Sequence, residues 1–301
     1  METSGKARDT MTDSTGETAP TFLVNNRGLK TLRARSPLKK YVADLWKTRH
    51  FISHDARAKA MSAGRGTILG FAWIILNPAI QVGLYAFVFG FVLKINRGID
   101  NFIGFLIIGV IYFGFMSSGL NAGANLIQRN RGLLNSFSFP KASVAISTGI
   151  RAAIDNFPAA ILAVVCALLS QFRDVPSWTV LFVLPIYLLL HLFITGLVLI
   201  IARITAFIPD FKSLLTVVTR ILFFTSGVFW PIERFIHDPT LAQIMSLNPF
   251  HQYLLAVRTV VLDGQVPQLF TILSILLWPL TTFAFGLVFF WKAEHRYATI
   301  K

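Results

Sequence analysis

Residues 65–93, RGTILGFAWIILNPAIQVGLYAFVFGFVL, decide the fold. After Arg65 no charged residue occurs until Lys94. As a helix, the intervening 28 residues extend ~40 Å at ~1.5 Å per residue, longer than the ~30 Å apolar core of a bilayer. The stretch lies too far from the N-terminus, and is too long, to be a cleaved signal peptide. Comparable apolar runs follow at about 102–127, 143–172, 178–202, 213–230 and 269–291. Their repetition excludes a single buried helix of a water-soluble domain.

Working outward, the composition agrees. Of the 301 residues 54% are hydrophobic and only 14% charged, against about a quarter charged in a soluble domain. Mean hydropathy is +0.62. The net charge of +14 would suit a nucleic-acid partner, but in a membrane protein it marks the cytoplasmic side, so no nucleic acid is expected. The single cysteine, Cys166, excludes an intrachain disulfide and any CxxC site.

Upstream of the first span, residues 1–35 are polar and basic and read as a disordered tail. Arg27, Lys30, Arg33, Arg35, Lys39 and Lys40 form a cationic run suited to anionic headgroups. Residues 36–64 read as an interface-helix region. Ser36-Pro37 supplies a cap and a first-turn proline, and Leu38, Tyr41, Val42, Leu45, Trp46 and Ile52 recur at helical spacing. Arg49 falls inside that stripe and must snorkel or find a partner. His50 and His54 are spaced for a shared metal but lack further ligands nearby, so no metal site is expected.

Downstream, residues 65–301 read as the transmembrane domain. Arg151 and Asp155 stand four apart in the third span and suit a mutual ion pair, an ion pathway being the alternative. His191 lies mid-span and reads as a satisfied bundle-facing polar group, with proton transfer the alternative. The fifth span is short and carries Arg220. Residues 241–262 are moderately apolar but broken by Asn248-Pro249, a pattern for re-entrant or interfacial helices. Of the 28 Lys and Arg, 21 fall on the side of the termini and five on the other. The fold expected is therefore an all-α polytopic membrane protein with six transmembrane helices. It has an N-terminal amphipathic interface helix, re-entrant helices between spans five and six, and both termini in the cytoplasm.

No HExxH, GxSxG or phosphate-binding GxxxxGK[ST] motif is present, so any ATPase must be another chain. Several short patterns occur in order instead. Arg65-Gly66-Thr67, Leu69-Gly70, Trp73 and Pro78 lead into the first span. Phe139-Pro140-Lys141 ends the connection between spans two and three, and Asp210 follows span four. Ser226, Phe229, Trp230 and Pro231 end span five. Asn248-Pro249, Arg258 and Gly264 follow. In these patterns residues 38–297 resemble the permease subunits of ABC-2 type exporters for polysaccharides and polyol phosphates: O-antigens, capsules, teichoic acids and lipid-linked galactans. Two places depart from the family: Ala63-Gly64 stands where it often has Arg-Tyr, and Pro209 where Arg commonly precedes the acidic residue. Both bear on ATPase docking or substrate intake.

The resemblance implies a multi-pass permease of the bacterial cytoplasmic membrane that exports a lipid-linked glycan or polyol-phosphate polymer. It implies a homodimer with two copies of a separate ATPase, which would bind ATP and Mg; no cofactor belongs to this chain. Residues 129–141, with Arg129, Arg131, Phe139, Pro140 and Lys141, would couple to the ATPase, a plain surface loop being the other reading. Tyr85, Phe89, Phe223, Phe224, Phe229 and Trp230 would line a channel in which aromatic faces stack on sugar rings. Interfacial or lipid-facing aromatics are the alternative. Arg49 and Arg65 would attract a diphosphate linkage at the substrate's point of admission, or simply anchor lipid headgroups. The competing functions are an ABC-2 permease for a small lipid or drug, a membrane-embedded glycosyltransferase or acyltransferase, and a scaffold subunit.

Overall fold

The computed structural model describes residues 36–61, 72–93, 99–136, 139–171, 177–232 and 238–299. The cationic tail, Arg65 and most of the first-span pattern around it lie outside the described residues. All regular structure described is helical.

Among the described residues four helices are long and apolar enough to cross a membrane: α4 (Phe102–Gly123), α7 (Ala142–Leu169), α8 (Val183–Phe207, entered through a 3-10 turn, Trp178–Phe182) and α12 (Leu269–Lys292). Helices α4 and α8 form the centre of the bundle. On α4, Leu106, Ile108, Tyr112 and Met116 have no exposed surface, and on α8 the same holds for Leu190, Ile194, Val198 and Leu199. Helices α7 and α12 flank them, with outer faces such as Ile161, Leu169, Leu277 and Phe285 left exposed. Such apolar outer faces suit hydrocarbon. The α8–α12 contact is close because Gly196 and Gly286 meet: a Cβ on Gly196 would come 2.7 Å from the Phe283 amide nitrogen. Small residues permit that approach where lipid tails give no hydrophobic drive.

The first-span stretch forms α3 (Ala72–Tyr85), which runs on as a π-helical segment, Ala86–Val92. The Leu93 amide donates to the Val88 carbonyl five residues back, at 2.9 Å. A π-helical turn of this kind is rare and often marks a functional site. The fifth apolar run forms α9 (Phe211–Thr225). At ~1.5 Å per residue its 15 residues reach only ~22 Å, short of a bilayer core. Expected to run to residue 230, it stops early because Gly227 takes φ 68°, a left-handed turn open to glycine.

Beyond that turn come α10 (Pro239–Ser246) and α11 (Pro249–Val261). Both start on a capping side chain followed by proline: Asp238 accepts from the Thr240 and Leu241 amides, and Asn248 from the Phe250 amide. Helix α11 is too short to cross and is buried along most of its length, from Phe250 to Val261.

At one end of the bundle lie α1 (Leu38–Lys47) and α2 (Arg49–Met61). The amphipathic stripe divides as two contacts. Tyr41, Leu45, Ile52 and Ala56 are buried against the bundle, whereas Val42 and Trp46 stay exposed. The same end carries α5 (Leu126–Arg129) and α6 (Arg131–Ser136). Asn125 in a left-handed conformation ends α4 there, and its amide donates to Thr205 Oγ1 of α8 at 3.1 Å.

Candidate substrate path

The π-helical segment and α9 bring aromatic side chains toward one point. Tyr85 and Phe89 follow one another on the first-span helix, with ring centroids 6.3 Å apart. Phe223 and Phe224 stand near the end of α9, and Phe229 and Trp230 on the turn after it. Phe229 is the hub and is almost fully buried. Its ring stacks on Phe89 at 4.0 Å, meets Phe223 edge-on at 4.8 Å and Tyr85 edge-on at 5.0 Å, and reaches Trp230 at 5.9 Å and Phe224 at 6.2 Å. All six residues expected to line a channel thus form one cluster. Phe113 of α4 joins it through Phe223 at 5.0 Å, though nothing in the sequence pattern marks it out from its apolar neighbours. Each edge-on or offset pair contributes about 0.5–1.5 kcal/mol beyond area burial.

Tyr85, Phe113 and Phe223, with Val110 and Gly114, also line a groove of about 460 Å³. Its other walls are polar: Gln81, Ser117, Ser118, Asn121, Thr216, Thr219 and Arg220. A second cavity of about 340 Å³ shares Gln81, Val110, Gly114 and Ser118 with it and continues to Trp73, Asn77 and Asp155. The polar side chains of α3, α4 and α9 therefore gather along one open groove, where Gln81, Ser118, Asn121, Thr216 and Arg220 are exposed. An aromatic plug lies at the end away from α1.

A brace behind the plug holds the turn that carries Phe229. Arg258 of α11 is buried and donates to the Gly227 carbonyl at 2.8 Å, the Val228 carbonyl at 2.9 Å and the Phe105 carbonyl at 3.1 Å. Its guanidinium also lies 3.4 Å from the Phe105 ring centre. Asn248 Nδ2 donates to Ser226 Oγ at 2.9 Å, and the His251 ring nitrogen Nδ1 lies 3.1 Å from the Ser226 carbonyl. Ser226, Asn248 and Arg258, scattered in sequence, are one structural knot. The sequence marks them only as isolated motif positions; an arginine inside an apolar helix is the signal that singles out Arg258.

The ionisable residues of the third and fourth spans are satisfied locally. Arg151 Nε pairs with Asp155 at 3.1 Å. His191 lies against the Tyr187 carbonyl through Nδ1 at 2.9 Å and against Asn156 through Nε2 at 3.3 Å. His50 and His54 are both exposed.

At the α1 end the expected admission and coupling residues are spread out. Arg49 is exposed and donates to the Trp46 carbonyl at 3.1 Å, with its guanidinium over the Trp46 ring. Arg129 turns back on α4 and donates to the Ala122 and Ala124 carbonyls at 3.1 and 2.5 Å, serving as a helix C-cap. Arg131 is exposed. Phe139 packs on Phe51 of α2 at 5.0 Å. Pro140 opens α7, its carbonyl accepting from the Ser143 amide. The Lys141 amide donates to Glu294 Oε1 at 2.7 Å, and the same carboxyl accepts from the Tyr41 hydroxyl at 2.8 Å. Burial pushes the Glu294 carboxyl above its usual range, opposed by those two donors and by the Lys141 ammonium. Burial likewise pushes the Lys141 ammonium down, with Glu294 opposing. Glu294, which no sequence motif marks, thus ties α1, the start of α7 and the C-terminal segment together.

An all-α bundle of membrane-length helices with a polar groove running between them has the build of a membrane permease. The sequence matches the ABC-2 type transporter family over residues 57–262, and the chain belongs to that family. Among the described residues no group of three or more His, Cys, Asp or Glu stands together as a metal site would need. The chain is similar to the O-antigen export system permease protein RfbA of Myxococcus xanthus, 24% identical over 230 residues, which cover 76% of this chain and 86% of that protein. It is similar also to the protein of the same name in Klebsiella pneumoniae, 24% identical over 239 residues, 78% of this chain and 89% of the relative.

Proposed function

We propose that this chain is the permease of an exporter carrying a lipid-linked polysaccharide or polyol-phosphate polymer, of O-antigen, teichoic acid or galactan type, across the bacterial cytoplasmic membrane. It acts as a homodimer powered by two copies of a separate ATPase. The observation that carries this reading is the clustering of Tyr85, Phe89, Phe223, Phe224, Phe229 and Trp230 beside a polar groove that Tyr85 and Phe223 line. Aromatic faces bind sugar rings without demanding one hydrogen-bond pattern, and the hydroxyl and amide groups of the groove suit a polyhydroxylated chain. Similarity to two O-antigen export permeases supports the substrate class.

The groove is open on one side, between α3 and α9. Both helices leave apolar faces uncovered there, with Ile80 and Leu84 on one and Val217 and Ile221 on the other. A second copy apposed on these faces would close two half-grooves into one channel. In this reading α3 with its π-helical extension and α9 are spans one and five of six, and α10 and α11 form the re-entrant pair. Both termini are cytoplasmic. Residues 129–141 contact the ATPase through the exposed Arg131 and the surface around Arg129, while Phe139, Pro140 and Lys141 fasten that segment to α2 and α7. Arg49 and Arg65 meet the lipid-linked end of the substrate.

The test is export of surface polymer by cells carrying Trp230→Ala. Export slows several-fold while dimer and ATPase assembly persist. Wild-type export by Trp230→Ala and by Phe89→Ala together places the path elsewhere and favours a small-lipid substrate.

A further inference from the structure

Arg220 belongs neither to the aromatic cluster nor to the brace behind it. It lies on α9, nine residues after Phe211 and five before Thr225, well inside an apolar stretch. It lines the 460 Å³ groove one helical turn before Phe223, so it stands beneath the aromatic plug. No hydrogen bond or ion pair links it to any of the described residues. The carboxylate of the adjoining cavity, Asp155, is already held by Arg151. A guanidinium at membrane depth is costly, and such residues face cavities or partners that use them. The neighbouring Thr219 hydroxyl is buried on the same groove wall without a hydrogen-bond partner. By contrast, Thr225 on the same helix donates to the carbonyl four residues back. A cation and an unsatisfied hydroxyl on one wall, with Ser117 and Gln81 opposite, form a donor set for an anion.

We infer that Arg220 is a phosphate-recognition residue within the path, binding a phosphate or diphosphate group as the substrate passes. This inference rests on the export reading. Guanidinium forks match phosphate oxygens in pairs, which an ammonium does only as a point charge. A fixed cation here offsets the desolvation of a phosphate that leaves water, as burying an unpaired ion is costly. The phosphate chemistry has two sources: the diphosphate joining a glycan to its lipid, or the phosphodiesters of a polyol-phosphate chain.

The experiment measures binding to the full chain in lipid nanodiscs, using polyprenyl diphosphate, a soluble polyol-phosphate oligomer and neutral polyprenol. Arg220→Gln weakens binding of at least one phosphorylated probe by about ten- to hundredfold. Arg220→Lys retains an intermediate affinity, and polyprenol binding stays unchanged in all three proteins. The probe that loses affinity names the source. Because Arg220→Gln could disturb folding, wild-type binding is also followed against salt. Phosphate probes weaken as ionic strength rises, and polyprenol does not. Equal affinity of wild type and Arg220→Gln for both phosphorylated probes overturns the proposal. So does loss of the dimer in Arg220→Gln with affinity intact, which makes the arginine a subunit contact. If the phosphate probes are insensitive while Trp230→Ala still slows export, the anion site alone is wrong. If Trp230→Ala and Phe89→Ala both export normally, the path itself is wrong.

Discussion

Arg258 shows how one buried cation can organise a functional turn. The carbonyls of Gly227 and Val228, which lie in the turn after α9 and outside any helical ladder, turn to its guanidinium, and Phe105 of α4 offers it a third. Arg258→Met keeps the apolar stem but strands these acceptors. With ~1–3 kcal/mol for each unsatisfied buried group, the protein loses roughly 3 kcal/mol or more of stability, read as a lower unfolding midpoint in nanodiscs. Export falls with it, since Phe229 rides on the same turn. Glu294 makes a different prediction. A carboxyl whose folded pKa lies above its unfolded value holds its proton more tightly when folded. Stability contributed at Glu294 is therefore present at low pH and is lost as pH rises through the folded pKa. The unfolding midpoint of the wild type should rise between about pH 8 and about pH 5 more than that of Glu294→Gln, in which this dependence is removed. An equal rise in both proteins would assign the effect to other groups.

At the scale of elements, the apolar runs announce the helices, and their ends are set by local chemistry. Asn101 caps α4 by accepting from the Gly104 amide at 2.8 Å, and left-handed Asn125 stops it. Gly227 shortens α9, which the apolar run alone would have carried to Trp230. The π-helical segment after Tyr85 was not legible, because AFVFGFV satisfies an α-helical pattern equally well. Orientation belongs to this scale. Lysine and arginine crowd the end of the bundle that carries α1, α2 and α6, which predicts that end to be cytoplasmic. In a Cys166→Ala background, Asp100→Cys should react with an impermeant thiol reagent from outside intact cells, and Arg131→Cys should not. The reverse pattern inverts the topology.

For the whole molecule, the question is what covers α3 and α9. Ile221 of α9 and Leu277 of α12 are equally exposed, both at 57%. Exposure therefore cannot tell a subunit contact from a lipid contact, but the polar groove lies on the α3–α9 side. In the Cys166→Ala background, Ile221→Cys should give an oxidative crosslink between copies in native membranes. Leu277→Cys, on the far flank, should stay monomeric on a non-reducing gel. Crosslinking at Leu277 alone would place the dimer contact on the other face and leave the groove open to lipid.

The sequence by itself determined that this is an all-α membrane protein, where its main helices lie, and which transporter family it resembles. Hydropathy and a few spaced motifs suffice for that, because a bilayer forces every apolar run of span length to satisfy its own backbone as a helix. Only the tertiary structure decided that the aromatics form one plug around Phe229, that Ser226, Asn248 and Arg258 brace it, and that Arg220 opens onto the polar groove. Those contacts join residues far apart in the chain, such as Phe105 with Arg258 and Tyr41 with Glu294. Side-chain facing in a bundle follows from how helices pack on one another, and no local pattern encodes that.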